Sequence, residues 1–118
     1  MNLNRLILPL VLLSLNTQAN CLDDAISTLD IRDCYIAEIK IEEQKIDEIL
    51  GKAYKISDHI IKEIKKSQND WLRYRKSQCD AVYYSYGRGA MKLIAPEACM
   101  VELTKQRRKQ IDIDFIRH

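Results

Sequence analysis

The sequence predicts an all-α protein, a three-helix up-down-up bundle that is stapled by two disulfide bonds. Three observations favour this fold class. Apolar residues recur at three- and four-residue steps over long stretches of the chain. Glycine and proline are scarce, with three and two residues. Four cysteines, an even number, occur in only 118 residues. We expect a single domain, because the chain has no linker, low-complexity segment or internal repeat.

The first nineteen residues have the pattern of a signal peptide. Arg5 supplies a positive charge, residues 6–15 form an almost uninterrupted apolar run, and small residues precede a cleavage site after Ala19. The run is much shorter than the roughly 20 residues that a membrane-spanning helix requires. We therefore predict a periplasmic or secreted protein whose single domain covers residues 20–118 and has no membrane span.

Cys21 lies close to this site and raises an alternative, in which the chain is cleaved before the cysteine and a lipid is attached to it. The neighbouring residues do not match such lipoprotein signals, which carry Leu three positions before the cysteine and Gly or Ala directly before it. Gln18 and Asn20 occupy these two positions. We therefore expect cleavage after Ala19 and no lipid anchor.

The cysteines of the mature chain predict structural disulfides, for which three pairings are possible. The spacing favours local closure, Cys21 with Cys34 and Cys79 with Cys99. In the chain-entropy model each such short loop contributes roughly 3 kcal/mol of stability, which is substantial in a domain of this size. A zinc site would require closely spaced ligands of the CxxC or CxxH type, and the sequence has none.

The first long helix is predicted from Asp33 to about Ile56, where apolar residues follow the helical period with Glu and Lys between them. Ser57 and Asp58 can then cap a second helix that extends to about Tyr84. A single uninterrupted helix is the alternative, because the residues around the break are only mild helix breakers. We expect the break, since helices much longer than about 25 residues are unusual in a small domain.

Gly87 and Gly89 predict a tight reversal after the second helix, because glycine supplies the positive φ that such a turn requires. A short helical turn over residues 91–94 can follow, with Pro96 in the first turn of a third helix that continues through Ile111. The second and third helices become antiparallel neighbours, which brings the second pair of cysteines together across the turn.

Charge is distributed unevenly along the chain. Residues 20–50 hold nine acids against three bases, whereas residues 51–118 hold fifteen bases against eight acids. Either the acidic and basic helices pack together and neutralise each other, or the acids form a surface for a cationic partner. The basic segment 105–109 could contact phosphate groups, but an exported protein meets little nucleic acid, so we expect none to bind.

The residues needed for catalysis are missing from the sequence. The mature chain has two histidines, His59 and His118, and neither belongs to a nucleophile, metal or phosphate-loop motif. His59 and Glu63 share a helix face but lack a third metal ligand. Neighbouring carboxylates in the sequence point in different directions on a helix. We therefore predict a protein that is not an enzyme and that requires no cofactor or metal.

Residues 67–79 resemble the QxxWxxxRxxxC signature of the LprI-type lysozyme-inhibitor-like family, and the last helix has the family's CxxxLTxxR pattern. The matching residues are Gln68, Trp71, Arg75, Cys79, Cys99, Leu103, Thr104 and Arg107. The resemblance covers nearly the whole mature chain and departs at Arg88, which separates two glycines that often adjoin. It implies a small helical exported protein, and some members of this family inhibit lysozyme. We expect the signature itself to be structural, with Trp71 facing the core and Arg75 bonded to carbonyls or to an acid of the first helix.

The resemblance leads to a hypothesis about a protein partner, in which acids attract a cationic lysozyme and the loop 83–92 obstructs its active site. The candidate partner-binding residues are Glu38, Glu42, Glu43, Asp47 and Glu48 on the first helix, and Tyr84, Tyr86 and Arg88 in the loop. The alternative is a non-catalytic interaction or immunity module that binds another envelope or secreted protein. Exposed acids without neighbouring bases would favour lysozyme, whereas an exposed apolar stripe would favour a helical partner.

Overall fold

The computed structural model describes residues 20–117, which form four α-helices and one 3₁₀ turn. The elements are α1 (Asn20–Asp23), α2 (Thr28–Ile56), the 3₁₀ turn (Asp58–Ile60), α3 (Ile61–Ser85) and α4 (Met91–Phe115). This part of the chain contains no strand, so the predicted all-α class is confirmed. The predicted signal peptide, residues 1–19, lies outside the described residues.

Both predicted disulfides are present. Cys21–Cys34 joins α1 to α2, and Cys79–Cys99 joins α3 to α4, with Cα–Cα distances of 5.8 and 5.7 Å. Both distances lie in the ordinary range for disulfides.

The contacts between the long helices give the up-down-up order. Along α2 and α4 they advance in the same direction, since Glu38 meets Lys105 and Ser57 meets Phe115, so these helices are parallel. The Cys79–Cys99 bond joins the end of α3 to the start of α4, so these two are antiparallel. α4 packs against both other long helices, whereas α2 and α3 have almost no Cα atoms within 8 Å of each other.

The core lies where apolar stripes of the three long helices meet. Its buried residues are Ile46, Leu50 and Ala53 of α2, Ile64 of α3 and Ile111 of α4. The three residues of α2 are spaced by four and three positions, which places them on one side of the helix. The amphipathic pattern of the sequence therefore corresponds to the buried face of the bundle.

The beginning of α2 is set by a reciprocal cap that the sequence analysis did not identify. The Oγ atom of Ser27 accepts a hydrogen bond from the Asp30 N–H at 3.1 Å, and the Asp30 carboxylate accepts one from the Ser27 N–H at 3.2 Å. This capping box satisfies two backbone donors at the helix start. The helix consequently begins at Thr28, earlier than the predicted start at Asp33.

The break between α2 and α3 occurs at Ser57, but the predicted capping role of Ser57 and Asp58 is wrong. The Ser57 side chain makes no cap bond. Its hydroxyl donates instead to the backbone carbonyl of Phe115 at 2.9 Å, near the end of α4, and the residue is only 1% exposed. Ser57 therefore joins the α2–α3 corner to the last turn of the bundle.

The start of α4 also differs from the expectation. It is one continuous helix from Met91, so Pro96 lies in its second turn and no separate helical turn precedes it. Pro96 lacks the N–H that would bond the Lys92 carbonyl, a loss confined to one bond close to the helix end. In the preceding reversal Gly89 has φ of 98°, whereas Gly87 does not adopt a positive φ.

We expect Ser57→Ala to lower the free energy of unfolding by about 1 kcal/mol, because it leaves the Phe115 carbonyl without its donor. Ser77→Ala is the matched control, since the Ser77 hydroxyl is exposed and donates within α3 to the Tyr74 carbonyl. Urea unfolding of the oxidised protein measures both. Equal effects of the two substitutions would contradict a tertiary role for the Ser57 bond.

Candidate functional site

Arg75 connects all three long helices. Its Nη1 atom donates to Thr104 Oγ1 of α4 at 2.9 Å and lies 3.1 Å from Glu43 Oε1 of α2. Its guanidinium carbon is 4.9 Å from the centroid of the Trp71 ring, within the range of a cation–π interaction. The structure thus places Arg75 beside an acid of the first long helix and beside the only tryptophan of the chain.

A second arginine holds the other motif residues together. Arg107 of α4 donates from Nε to Gln68 Oε1 at 2.9 Å and from Nη2 to Ser67 Oγ at 3.1 Å. Its guanidinium carbon is 6.0 Å from the Trp71 ring centroid. Burial lowers the pKa of the Arg107 guanidinium from its ordinary value. Leu103, one helical turn earlier, lines a depression beside the same tryptophan.

A groove between α2 and α3, hereafter the α2–α3 groove, lies beside the Arg75 contacts and has a volume of about 240 Å³. It exists because these two helices pack on α4 more closely than on each other. Its lining residues are Glu43, Ile46, Asp47 and Leu50 of α2, Gln68, Trp71, Leu72 and Arg75 of α3, and Thr104 of α4.

Two of the candidate acids are neutralised by bases. Glu42 is 3% exposed, and its carboxylate lies 3.0 Å from Lys45 Nζ and 3.3 Å from Arg108 Nε. Glu38 accepts a hydrogen bond from Lys105 Nζ at 2.6 Å, which raises the pKa of that lysine against the opposing effect of burial. Through Lys105 and Arg108, bases of α4 thus neutralise acids of α2.

The other three acids remain exposed to solvent. Glu43 uses one oxygen for Arg75, and its side chain is 49% exposed. Asp47 and Glu48 are exposed and form no ion pair within residues 20–117. Asp47 lines the α2–α3 groove, whereas Glu48, its neighbour in sequence, does not.

The exposed aromatic candidates lie in residues 83–92, hereafter the α3–α4 turn, which comprise the end of α3, the connection and the start of α4. Tyr84 is 77% exposed and Tyr86 is 36% exposed, and Arg88 is also exposed. The ring of Tyr83 packs edge to face with that of Tyr84 at 5.2 Å, and Lys92 Nζ lies 4.4 Å from the Tyr83 centroid. This end of α3 therefore presents an ordered aromatic and basic surface.

The exposed acids of α2 lie far from this turn along the bundle. Glu43 of α2 pairs with Arg75 of the antiparallel helix α3. Asp47 lies four residues beyond Glu43, and Tyr84 lies nine residues beyond Arg75. Because the two helices are antiparallel these separations add, and at 1.5 Å per residue Asp47 and Tyr84 are about 20 Å apart along the bundle. The structure does not bring the candidate acids and Tyr84 into one site.

Other kinds of site have little support in the described part of the chain. Residues 20–117 contain no group of three His, Cys, Asp or Glu side chains that could hold a metal ion. His59 is exposed, and its nearest carboxylate is that of Asp58 at 4.0 Å. None of the helices within this range is both long and apolar enough to cross a membrane.

Neither the α2–α3 groove nor the contact between Thr104 and Arg75 was predicted from the sequence. Thr104 is fully buried, and its hydroxyl also donates to the Met100 carbonyl at 2.6 Å. A polar residue at a core-facing position of an amphipathic helix is the signal that could have indicated a buried hydrogen bond.

We expect Glu42→Gln to lower the free energy of unfolding by about 2 kcal/mol, because it removes a buried charge that compensates Lys45 and Arg108. Glu48→Gln removes the same charge from an exposed position and should change stability by less than about 0.5 kcal/mol. Urea unfolding at neutral pH measures both variants. A Glu42→Gln protein as stable as the Glu48→Gln protein would contradict the structural role of Glu42.

Comparison with known proteins supports one family. The family model described as "Lysozyme inhibitor LprI" matches residues 19–111, most of the chain. This range includes α1, the QxxWxxxRxxxC motif of α3 and nearly all of α4. No curated protein and no solved structure matches the chain significantly. The chain belongs to the LprI lysozyme-inhibitor family.

Proposed function

We propose that this protein is an exported, non-catalytic binding protein that inhibits a lysozyme by placing the α3–α4 turn in the active-site cleft of the enzyme. The main observation in support of this proposal is the exposure of the aromatic residues at this turn. Tyr84, at 77% exposure, is the most exposed aromatic residue among those with large apolar side chains in residues 20–117. Family membership supplies the class of partner.

The chemistry of the turn suits a protein contact of this kind. Tyrosine and arginine are the residue types that most often dominate binding energy at interfaces, and here Tyr84, Tyr86 and Arg88 follow one another closely. Glycoside hydrolases such as lysozyme carry two carboxyl groups beside the scissile bond. The Arg88 guanidinium offers an opposite charge to these carboxyl groups, while the tyrosine rings exclude water around the contact.

Exposed apolar residues near the turn extend the surface available to a partner. The Arg32–Glu97 ion pair places the start of α2 and the start of α4 at the same end of the bundle. Ile26 is 94% exposed, Leu29 is 58% exposed and Leu93 is 43% exposed at this end. Such a surface is typical of a protein interface.

The two disulfides support the assignment of the protein to the periplasm or the extracellular space. Cys21–Cys34 and Cys79–Cys99 both lie toward the end of the bundle that carries the turn. Bonds of this kind form and persist in oxidising compartments. A lysozyme acts on peptidoglycan in the same compartments, so inhibitor and target would meet there.

The exposed acids of α2 act in this proposal by attraction at a distance. Glu38 and Glu42 are excluded because bases already neutralise them. Asp47 and Glu48 retain free charges, and Glu43 is half exposed. Since Asp47 is about 20 Å from Tyr84, these acids would speed the encounter with a cationic enzyme without contributing to the final contact at the turn.

An interaction or immunity module for another exported protein remains the second candidate, and the exposed apolar residues around Ile26 favour it equally. Both candidates use the same end of the bundle. A lysis assay discriminates them, because only the first predicts slower hydrolysis of peptidoglycan.

We expect the oxidised protein to slow peptidoglycan lysis by at least one lysozyme in a panel, and to bind that enzyme in calorimetry with micromolar or tighter affinity. Replacing Tyr84, Tyr86 and Arg88 together by Ala should weaken binding at least tenfold, because each side chain is a hot-spot type. Tyr74→Ala is the matched control, since Tyr74 is 52% exposed on α3 away from the turn. Full inhibition by the triple variant would refute insertion of the turn.

We expect the double variant Asp47→Asn with Glu48→Gln to lower the rate of association with the inhibited lysozyme severalfold at low ionic strength, and much less at 0.5 M salt. The reason is that salt screens attraction between separated charges. Surface plasmon resonance measures both rate constants. The dissociation rate should be unchanged, and a faster dissociation would show that these acids contact the enzyme directly.

A further inference from the structure

The α2–α3 groove combines two chemical features that together indicate a ligand. The first is an apolar wall, to which Ile46, Leu50 and Leu72 contribute. Leu72 is 41% exposed although it follows the apolar stripe of α3. The second is a pair of carboxylates on α2, Glu43 and Asp47, that lie on one helix face because they are four residues apart. An apolar wall beside an acidic rim suits a ligand with a long aliphatic stem and a cationic end.

The charge balance of the groove favours a cation. Its charged lining residues are Glu43, Asp47 and Arg75, which sum to one negative charge. The Arg75 charge is already compensated, because its Nη1 atom lies 3.1 Å from Glu43. Asp47 remains exposed and without an ionic partner within residues 20–117. A cation that pairs with Asp47 would therefore bring the net charge of the groove to zero.

We propose that the α2–α3 groove binds a lysine or arginine side chain of a protein partner. The aliphatic stem lies against Leu72 and the apolar residues of α2, and the cationic end pairs with Asp47. The volume of about 240 Å³ is below the roughly 300–1,000 Å³ of small-molecule sites, which suits one long side chain. This proposal does not depend on lysozyme as the target, because none of the residues that line the groove belongs to the α3–α4 turn.

Trp71 provides a direct measurement, because it is the only tryptophan of the chain and lines the groove. The probe is N-acetyl-L-arginine amide, which presents the basic side chain without charges on its backbone groups. Titration of the oxidised protein should change the tryptophan fluorescence with a Kd on the order of 1 mM, as expected for a ligand of this size. N-acetyl-L-norleucine amide, which keeps an aliphatic stem but has no charge, should bind at least about fivefold more weakly.

Asp47→Asn and Glu48→Gln form a matched pair, since both remove one exposed acid from neighbouring positions of α2 and only Asp47 lines the groove. Asp47→Asn should weaken binding of the arginine amide about fivefold, and Glu48→Gln by less than twofold. Amide chemical shifts in heteronuclear NMR provide a second measurement of the same titration. Changes should be centred on the groove residues of α2 and α3.

The outcomes separate this proposal from general attraction between charges. Equal weakening by the two variants, or equal binding of the norleucine amide, would overturn it. Absence of both a fluorescence change and a chemical-shift change at 20 mM probe would overturn it as well. Because the titration contains no lysozyme, its result is independent of whether the α3–α4 turn inhibits that enzyme.

Discussion

The buried guanidinium of Arg75 is the contact on which the arrangement of the three long helices depends. It extends from α3, bonds to Thr104 of α4, pairs with Glu43 of α2 and lies against Trp71. Hydrophobic packing is nondirectional and would tolerate several rotations of α3 on α4. The fixed donor geometry of a guanidinium selects one of them, because any rotation would leave a buried charge unpaired. This constraint also explains why two otherwise separated helices border a common groove.

The main features of the fold could be predicted from local patterns in the sequence. The periodicity of apolar residues predicted the long helices, the spacing of the cysteines predicted both disulfides, and the glycines marked the reversal before α4. The errors arose where a tertiary contact overrides a local preference. Ser57 is a good helix cap by type, yet the Phe115 carbonyl receives its hydrogen bond because the bundle brings the two together. Pro96 suggested a helix start, but α4 begins at Met91 and loses only one backbone hydrogen bond, close to its N-terminus.

The candidate site could be predicted less well, because a sequence shows which acids share a helix but not which of them meet bases on another helix. Glu42 and Glu43 are adjacent, and an α-helix turns by about 100° between neighbouring residues. Glu42 consequently faces Arg108 of α4, while Glu43 faces Arg75 of α3. Both explanations of the uneven charge, neutralisation between helices and an exposed acidic surface, are therefore correct in part. Some of the acids neutralise α4, and others remain exposed.

The separation of the exposed acids from the α3–α4 turn changes what a partner can do with the molecule. Asp47 and Tyr84 are about 20 Å apart along the bundle. A standard interface of roughly 800 Å² on each partner is about 30 Å across, so a contact centred on the turn reaches Asp47 only at its edge. The disulfides hold the end that carries the turn, whereas the groove is shaped by noncovalent contacts around Arg75. These two surfaces can therefore be altered independently, and a partner that needs one of them does not depend on the chemistry of the other.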